Sequence, residues 1–96
     1  MNMDDSHVMI DLETMGTSCI AAIVSIGAVK FTLLGEVRNL CHIGVDLDSC
    51  ARAGMDIDAG TVMWWLGQSK ENQERLLKLN KIQLKQALES LFNTFN

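Results

Sequence analysis

Hydrophobic and polar positions divide the chain into a strand-like first half and a helix-like second half. Three apolar runs, over residues 7–12, 20–31 and 37–45, are rich in Val and Ile and predict β-strands. The first run is short and almost continuously apolar, so we expect a strand buried on both faces. Residues 33–36 (LLGE) are typical of a hairpin turn, and such short connections favour an antiparallel meander. Gly27 predicts a bulge or a close backbone approach.

The second half has apolar positions at helical spacing. A short helical turn over residues 48–53 is followed by three predicted helices. Asp58 and Ser69 are suitable N-caps for the first two, and Asn80 with Gln83 has the spacing of a capping box for the third. The apolar face of the third helix consists of Leu84, Ala87, Leu88, Leu91, Phe92 and Phe95.

These elements predict a single α/β domain over residues 1–96, with a three-stranded antiparallel meander followed by helices. A chain of this length has room for one modest core. Hydrophobic residues make up 48% of the chain and charged residues 21%, which indicates a globular protein and excludes a disordered tail. The acidic start is unlike a secretory signal, and the longest apolar run is too short to span a bilayer. We therefore expect a soluble cytoplasmic protein without membrane contact.

Two acids mark the end of the first predicted strand. Side chains alternate across a strand, so Asp11 and Glu13 share one face. Like charges at this spacing repel each other unless a cation lies between them, and oxygen-only ligands suit Mg²⁺ or Mn²⁺. Ligands of open α/β sheets also collect outside the carboxyl ends of the strands. The pair is therefore a candidate metal site, although the same spacing is common on solvated loops.

The cysteines and histidines do not indicate a site. Cys19, Cys41 and Cys50 are odd in number and form no C-x-x-C pair, which argues against a disulfide framework and a structural zinc site. We expect reduced, partly buried thiols. His7 and His42 are predicted to be structural strand residues.

Two other features have alternative interpretations. Trp64 and Trp65 begin an amphipathic helix, where paired aromatics usually belong to the core, but they could also stack on a base. The net charge of −4 is uneven, because most bases follow residue 69. A solvated helix face is the first interpretation of these bases and a phosphate-contacting flank is the second. They are Lys70, Arg75, Lys78, Lys81 and Lys85.

The run MIDLETMGTS followed by AAIVSIGAV resembles the first motif of the DEDD superfamily of 3′→5′ exonucleases. The segment DIDAGTVMWWLGQS is similar to the phage and prophage branch, which includes the 3′→5′ exoribonuclease Rv2179c-like domain and proteins labelled exodeoxyribonuclease VIII. The resemblance implies the amino-terminal half of a ribonuclease H-like fold and a single-stranded 3′ end as substrate. It also implies that Asp11 and Glu13 are catalytic and bind two divalent metals, Mg²⁺ or Mn²⁺. The residues that would lie against the terminal nucleotide are Thr14, Met15, Gly16 and Thr17.

The chain departs from the family's pattern after the first motif. The family has a second-motif Asp on a later strand, and a third motif with His or Tyr shortly before a last Asp. His42 and Asp46 have a similar spacing but lie before the tryptophan pair, in the wrong order. We therefore expect an incomplete exonuclease domain that is inactive alone, to be completed by a longer chain or a partner. The alternative is a non-catalytic prophage remnant or interaction module. RNA and DNA both remain open as substrates.

The missing strand has a consequence for association. In the ribonuclease H-like order the first strand lies between the second strand and one that follows the residues present here. Without that neighbour the first strand has unpaired backbone groups. We therefore expect a homo-oligomer that forms through the exposed first strand or the terminal helix.

Overall fold

The computed structural model describes residues 7–95. Its strands come from the Val- and Ile-rich runs of the first half, and its helices come from the capped segments of the second half. The elements in chain order are β1 (His7–Thr14), β2 (Ile23–Phe31), β3 (Val37–Val45), α1 (Leu47–Arg52), α2 (Ala59–Leu66), α3 (Lys70–Lys78), β4 (Lys81–Ile82) and α4 (Leu84–Phe95). No helix in this part of the chain has the length and apolar character needed to cross a membrane.

The sheet is mixed and has the strand order β1-β2-β3-β4 within the described residues. β1, β2 and β3 form the predicted antiparallel meander. β4 adds a fourth strand that pairs parallel with β3, so the prediction of a purely antiparallel three-stranded sheet is wrong. A parallel strand needs a crossover, which the segment containing α1, α2 and α3 provides. Two residues are too few to produce a recognisable strand pattern in the sequence.

The predicted hairpin turn between β2 and β3 is confirmed. Gly35 has a φ of 87°, a conformation that favours glycine, and the Thr32 amide donates to the Glu36 carbonyl at 2.9 Å. Gly27 pairs regularly with both neighbouring strands and does not form the predicted bulge. The irregularities of the sheet lie between Glu13 and Thr14 and at the start of this hairpin.

The core lies between one face of the sheet and the helices α1 and α4. Its fully buried members are Ala22, Ile26, Val45, Cys50 and Ala87. The predicted apolar face of α4 therefore contacts the core through its middle. Two of its members remain outside, since Leu88 is 47% exposed and Phe92 is 67% exposed.

The prediction that β1 is buried on both faces is wrong. Val8, Ile10 and Leu12 are 43%, 52% and 45% exposed. β1 lies at the edge of the sheet and pairs only with β2 among the described residues, so its apolar face is incompletely covered. Val8 and Ile10 instead line an open apolar groove of about 410 Å³ together with side chains of α4.

Two of the three predicted helix caps are confirmed. Asp58 accepts a hydrogen bond from the Thr61 amide at 2.9 Å, and Ser69 caps α3 in the same way. The capping box predicted for the last helix is wrong, because Asn80 precedes β4. The first amide of α4 instead donates to Ser49 Oγ at 2.9 Å, a partner 35 positions earlier that no local pattern reveals.

Candidate functional site

Asp11 and Glu13 lie near the carboxyl end of β1 and are both exposed. Their alternation with the apolar residues of β1 places them on the sheet face opposite the α4 groove. Neither carboxylate forms an ion pair with any residue from 7 to 95. The two negative groups are therefore available to a ligand.

The strand register extends this acidic face into two rows of side chains. Asp11 is opposite Gly27, which is opposite His42, and Glu13 is opposite Ser25 in the same way. Residues opposite each other in neighbouring strands share a face, so Asp11 and His42 face the same side with their Cα atoms roughly 10 Å apart. Only a glycine lies between them. The floor between the acids and the histidine is consequently open.

The helices α2 and α3 complete the walls of a cavity of about 380 Å³ over this floor. The close approach of the α3–β4 junction to the sheet depends on Gly44, because a Cβ there would lie 2.6 Å from the Asn80 carbonyl oxygen. We call this cavity the acidic trough. Its lining residues are Asp11, Glu13, Ser25, His42, Trp64, Trp65, Gln68, Asn72, Arg75, Leu76 and Leu79.

The two tryptophans have different roles in the wall of the trough. Trp65 is half-buried, and its indole Nε1 donates to the Thr14 carbonyl at 3.2 Å. Trp64 packs edge-on against it, with ring centroids 5.0 Å apart and an interplanar angle of 79°. The core interpretation is wrong for Trp64, which is 58% exposed.

The turn after β1 borders a second cavity of about 440 Å³, which also contains Glu13 and both tryptophans in its lining. Thr14, Gly16 and Thr17 line this cavity, so three of the four candidate nucleotide-binding residues lie together beside the acids. The fourth, Met15, packs against the core. We call this second cavity the turn cavity.

The basic residues after position 69 separate into two groups. Arg75 is exposed and lines the trough opposite the acids. Lys78 lies 4.0 Å from Glu74, and Lys81 donates to the Leu76 carbonyl at 2.8 Å. Both lysines therefore contact groups of α3. A solvated or structural role therefore fits the lysines. Arg75 is the base that could contact a ligand bound at Asp11 and Glu13.

The donors at the acids are of the type that hard divalent cations prefer, because both are carboxylates. Within residues 7–95, however, no group of three or more His, Cys, Asp or Glu side chains could hold a metal ion. His42 shares the trough with Asp11 without joining such a group. The trough is thus lined by two carboxylates, Asp11 and Glu13, and no third metal-ligating side chain of the described residues joins them.

Several trough residues were not predicted as site residues. Gly27, Ser25 and His42 depend on the pairing register, which the hairpin turn at residues 33–36 could have indicated. Arg75 and Asn72 depend on the crossover from α2 to α3, for which the sequence has no comparable signal.

The comparison with protein families supplies an independent finding. A search of curated proteins and a search of solved structures returned no match. The family model of the 3′-5′ exoribonuclease Rv2179c-like domain matches residues 6–95, which is nearly the whole chain. The chain therefore belongs to the family of the 3′-5′ exoribonuclease Rv2179c-like domain.

Proposed function

We propose that this chain carries the first carboxylate pair of a DEDD-type 3′→5′ exonuclease site that acts on single-stranded nucleic acid in the cytoplasm. The observation that carries the proposal is the position of Asp11 and Glu13, which lie exposed on one sheet face, where both line the trough and Glu13 also lines the turn cavity. The family's description as an exoribonuclease domain favours RNA over DNA as the substrate.

In such a site the bound metal ions and the protein side chains would have different roles. Two divalent cations, Mg²⁺ or Mn²⁺, would supply activation of a water and stabilisation of the leaving 3′ oxygen. Asp11 and Glu13 would hold these cations with their carboxylate oxygens. Thr14, Gly16 and Thr17 would contact the terminal nucleotide, since they line the turn cavity together with Glu13.

The same proposal includes an incomplete cage. Asp11 and Glu13 are two carboxylates that no third metal-ligating side chain of residues 7–95 joins, and the proposed two-metal site would need four. We propose that a longer chain or a partner supplies the second and third motifs of a ribonuclease H-like domain. The 96-residue chain alone would then bind Mn²⁺ weakly and hydrolyse no phosphodiester bond.

Metal binding at the acidic pair is testable without activity. Mn²⁺ titrated into ¹⁵N-labelled protein is expected to broaden the amide signals around Asp11, Glu13 and Gly27 before those of other residues, because paramagnetic broadening falls steeply with distance. Asp11→Asn and Glu13→Gln should each remove this localised broadening. Glu89→Gln, which removes an exposed carboxylate on α4, is the matched control and should leave it unchanged. Broadening that is absent, or that persists in Asp11→Asn, would refute the metal site.

Hydrolysis is tested on the same samples. A 5′-labelled single-stranded RNA and a DNA of equal sequence are incubated with Mn²⁺, and shortening from the 3′ end is followed on a gel. No shortening is expected from the chain alone. Shortening that disappears in Asp11→Asn would support the enzyme and refute the incomplete cage.

A second proposal concerns association, and it is favoured by the free edge of β1. A second copy could add its own β1 antiparallel to this edge, with Ile10 opposite Ile10. The register then places His7 opposite Glu13 and Met9 opposite Asp11, so that no carboxylate faces another. The apolar grooves beside the two edges would meet on one side of the continuous sheet. In this interpretation the chain is an interaction module.

Sedimentation velocity at tens of micromolar protein tests this association. Ile10→Lys is expected to shift a dimer to the monomer, because it places like charges opposite each other at the centre of the paired edges. Leu77→Lys, an exposed leucine on α3, is the control and should leave the dimer intact. A protein that is monomeric before any substitution would contradict the proposal.

A further inference from the structure

Trp64 is an exposed aromatic side chain whose position is nevertheless fixed. It contacts Trp65 edge to face, and Trp65 is in turn tied to the β1 terminus by the hydrogen bond to the Thr14 carbonyl. An exposed tryptophan that is already held in place loses little conformational freedom when a ligand packs on it. The ring is therefore a preformed apolar surface beside the acids.

Trp64 also lines two spaces of similar size. They are the acidic trough of about 380 Å³ and the turn cavity of about 440 Å³, and Glu13 lines both. Each volume falls within the roughly 300–1,000 Å³ of small-ligand sites. Two consecutive nucleotides of a single strand could thus occupy the two cavities, with the ring of Trp64 against one base.

Arg75 brings positive charge to a site that otherwise repels nucleic acid. Asp11 and Glu13 are negative, as is the phosphate backbone, so binding near them requires a compensating cation. The guanidinium of Arg75 lines the trough and forms no ion pair with the described residues. Its planar array of donors matches two phosphate oxygens.

The junction of α2 and α3 keeps these two side chains in a constant relation. The side-chain Nε2 of Gln73 donates to the Leu66 carbonyl at 2.9 Å and to the Gln68 carbonyl at 3.2 Å, which joins α3 to the end of α2. Trp64 on α2 and Arg75 on α3 are consequently held against the same trough.

We infer that Trp64 and Arg75 form a binding subsite for single-stranded nucleic acid, in which Trp64 stacks on an unpaired base and Arg75 contacts a phosphate. The inference rests on the proposed function for the class of ligand, but it concerns binding and requires neither metal nor hydrolysis. Bases inside a duplex have both faces covered by their neighbours, whereas each unpaired base of a flexible single strand can turn a face to the ring, so the subsite favours single strands over duplexes.

Fluorescence anisotropy of a 5′-labelled single-stranded RNA in EDTA tests the subsite, with a DNA of equal sequence to compare the two sugars. Trp64→Leu keeps apolar bulk but removes the flat ring, and should weaken binding about 5- to 150-fold, the range for loss of one stacked base. Its dependence on salt should stay that of the wild type. Trp64→Phe, which keeps a smaller ring, should give an intermediate affinity.

Arg75→Gln should act differently, because it removes a phosphate contact. The slope of log K against log salt should decrease in magnitude by about 0.7, the value for one phosphate contact on a single strand. Lys85→Gln removes the same charge from the exposed side of α4 and should leave both affinity and slope unchanged. A blunt duplex of the same sequence should bind more weakly, and Trp64→Leu should reduce its affinity less than that of the single strand.

The outcomes separate this inference from the proposed function. Wild-type affinity and slope in folded Trp64→Leu and Arg75→Gln would refute the subsite, as would an equal loss in Lys85→Gln. Mn²⁺ broadening at Asp11 would be unaffected by that result, and the proposed function would stand. Conversely, the expected binding losses without any Mn²⁺ site would support the subsite and refute the exonuclease proposal.

Discussion

The glycines at positions 27 and 44 provide a matched test of how the trough is built. Both lie on the trough face of the sheet, opposite Asp11 and Ser25 respectively. A Cβ on Gly27 would meet nothing nearer than the Asp11 carbonyl oxygen at 3.8 Å. A Cβ on Gly44 would lie 2.6 Å from the Asn80 carbonyl oxygen and 2.9 Å from Leu79 Cβ. The same substitution to Ala therefore has opposite expected effects.

The magnitudes follow from strain and backbone entropy. Glycine within a strand costs about 0.5–1 kcal/mol relative to alanine, so Gly27→Ala should stabilise the fold by about that amount. Gly44→Ala has the same entropic gain but forces backbone apart at the junction of α3 and β4, which costs about 1–3 kcal/mol for overpacking of this kind. The net loss for Gly44→Ala is therefore at most about 2.5 kcal/mol, and the middle of the two ranges gives about 1.25 kcal/mol. In a domain of this size, each kcal/mol moves Tm by about 4–8 °C.

Thermal unfolding followed by circular dichroism measures this difference. Tm of Gly44→Ala should fall by about 5–10 °C, whereas Tm of Gly27→Ala should stay the same or rise. Both proteins should keep the wild-type spectrum at low temperature, since neither change removes a core side chain. Equal Tm values for the two variants would refute the close approach of the α3–β4 junction to the sheet.

Two further predictions concern single side chains. Ser49→Ala should lower the free energy of unfolding by about 1 kcal/mol, because it removes the acceptor for the first amide of α4. Ser90→Ala, on the exposed side of that helix, should change this free energy little. Urea unfolding of the two variants measures the difference. In labelling with a maleimide followed by mass spectrometry, exposed Cys19 should react first and buried Cys50 only after unfolding. Burial raises the pKa of the Cys41 thiol, so its thiolate fraction at neutral pH is low and its labelling should accelerate only at higher pH.

The elements with strong local signals were predictable from the sequence. The meander follows from three β-branched runs and a turn containing Gly35, and α2 and α3 begin at the caps that Asp58 and Ser69 indicate. Features that depend on distant partners were not predictable. β4 exists because a crossover returns the chain to β3, and the cap of α4 comes from Ser49, which lies on α1.

The burial of β1 shows the limit of the pattern itself. The alternation of Val8, Ile10 and Leu12 indicates a strand with one apolar face, and the cover of that face is incomplete among residues 7–95. The composition of a strand therefore predicts that its apolar face packs against another surface, but it does not identify that surface. The apolar groove between β1 and α4 remains the place where such a surface would bind.

The candidate site was predictable only where one strand determines it. Alternation along β1 is sufficient to place Asp11 and Glu13 on one face, because it requires no knowledge of neighbouring elements. Trp64 and Arg75 become site residues only after two helices fold back over the sheet, and their helical spacing alone is equally compatible with a core or a solvated face. The charge of a trough is likewise a property of the assembled fold. Arg75 offsets the two acids although 62 positions separate it from Glu13, and the affinity and salt dependence of nucleic-acid binding measure that arrangement directly.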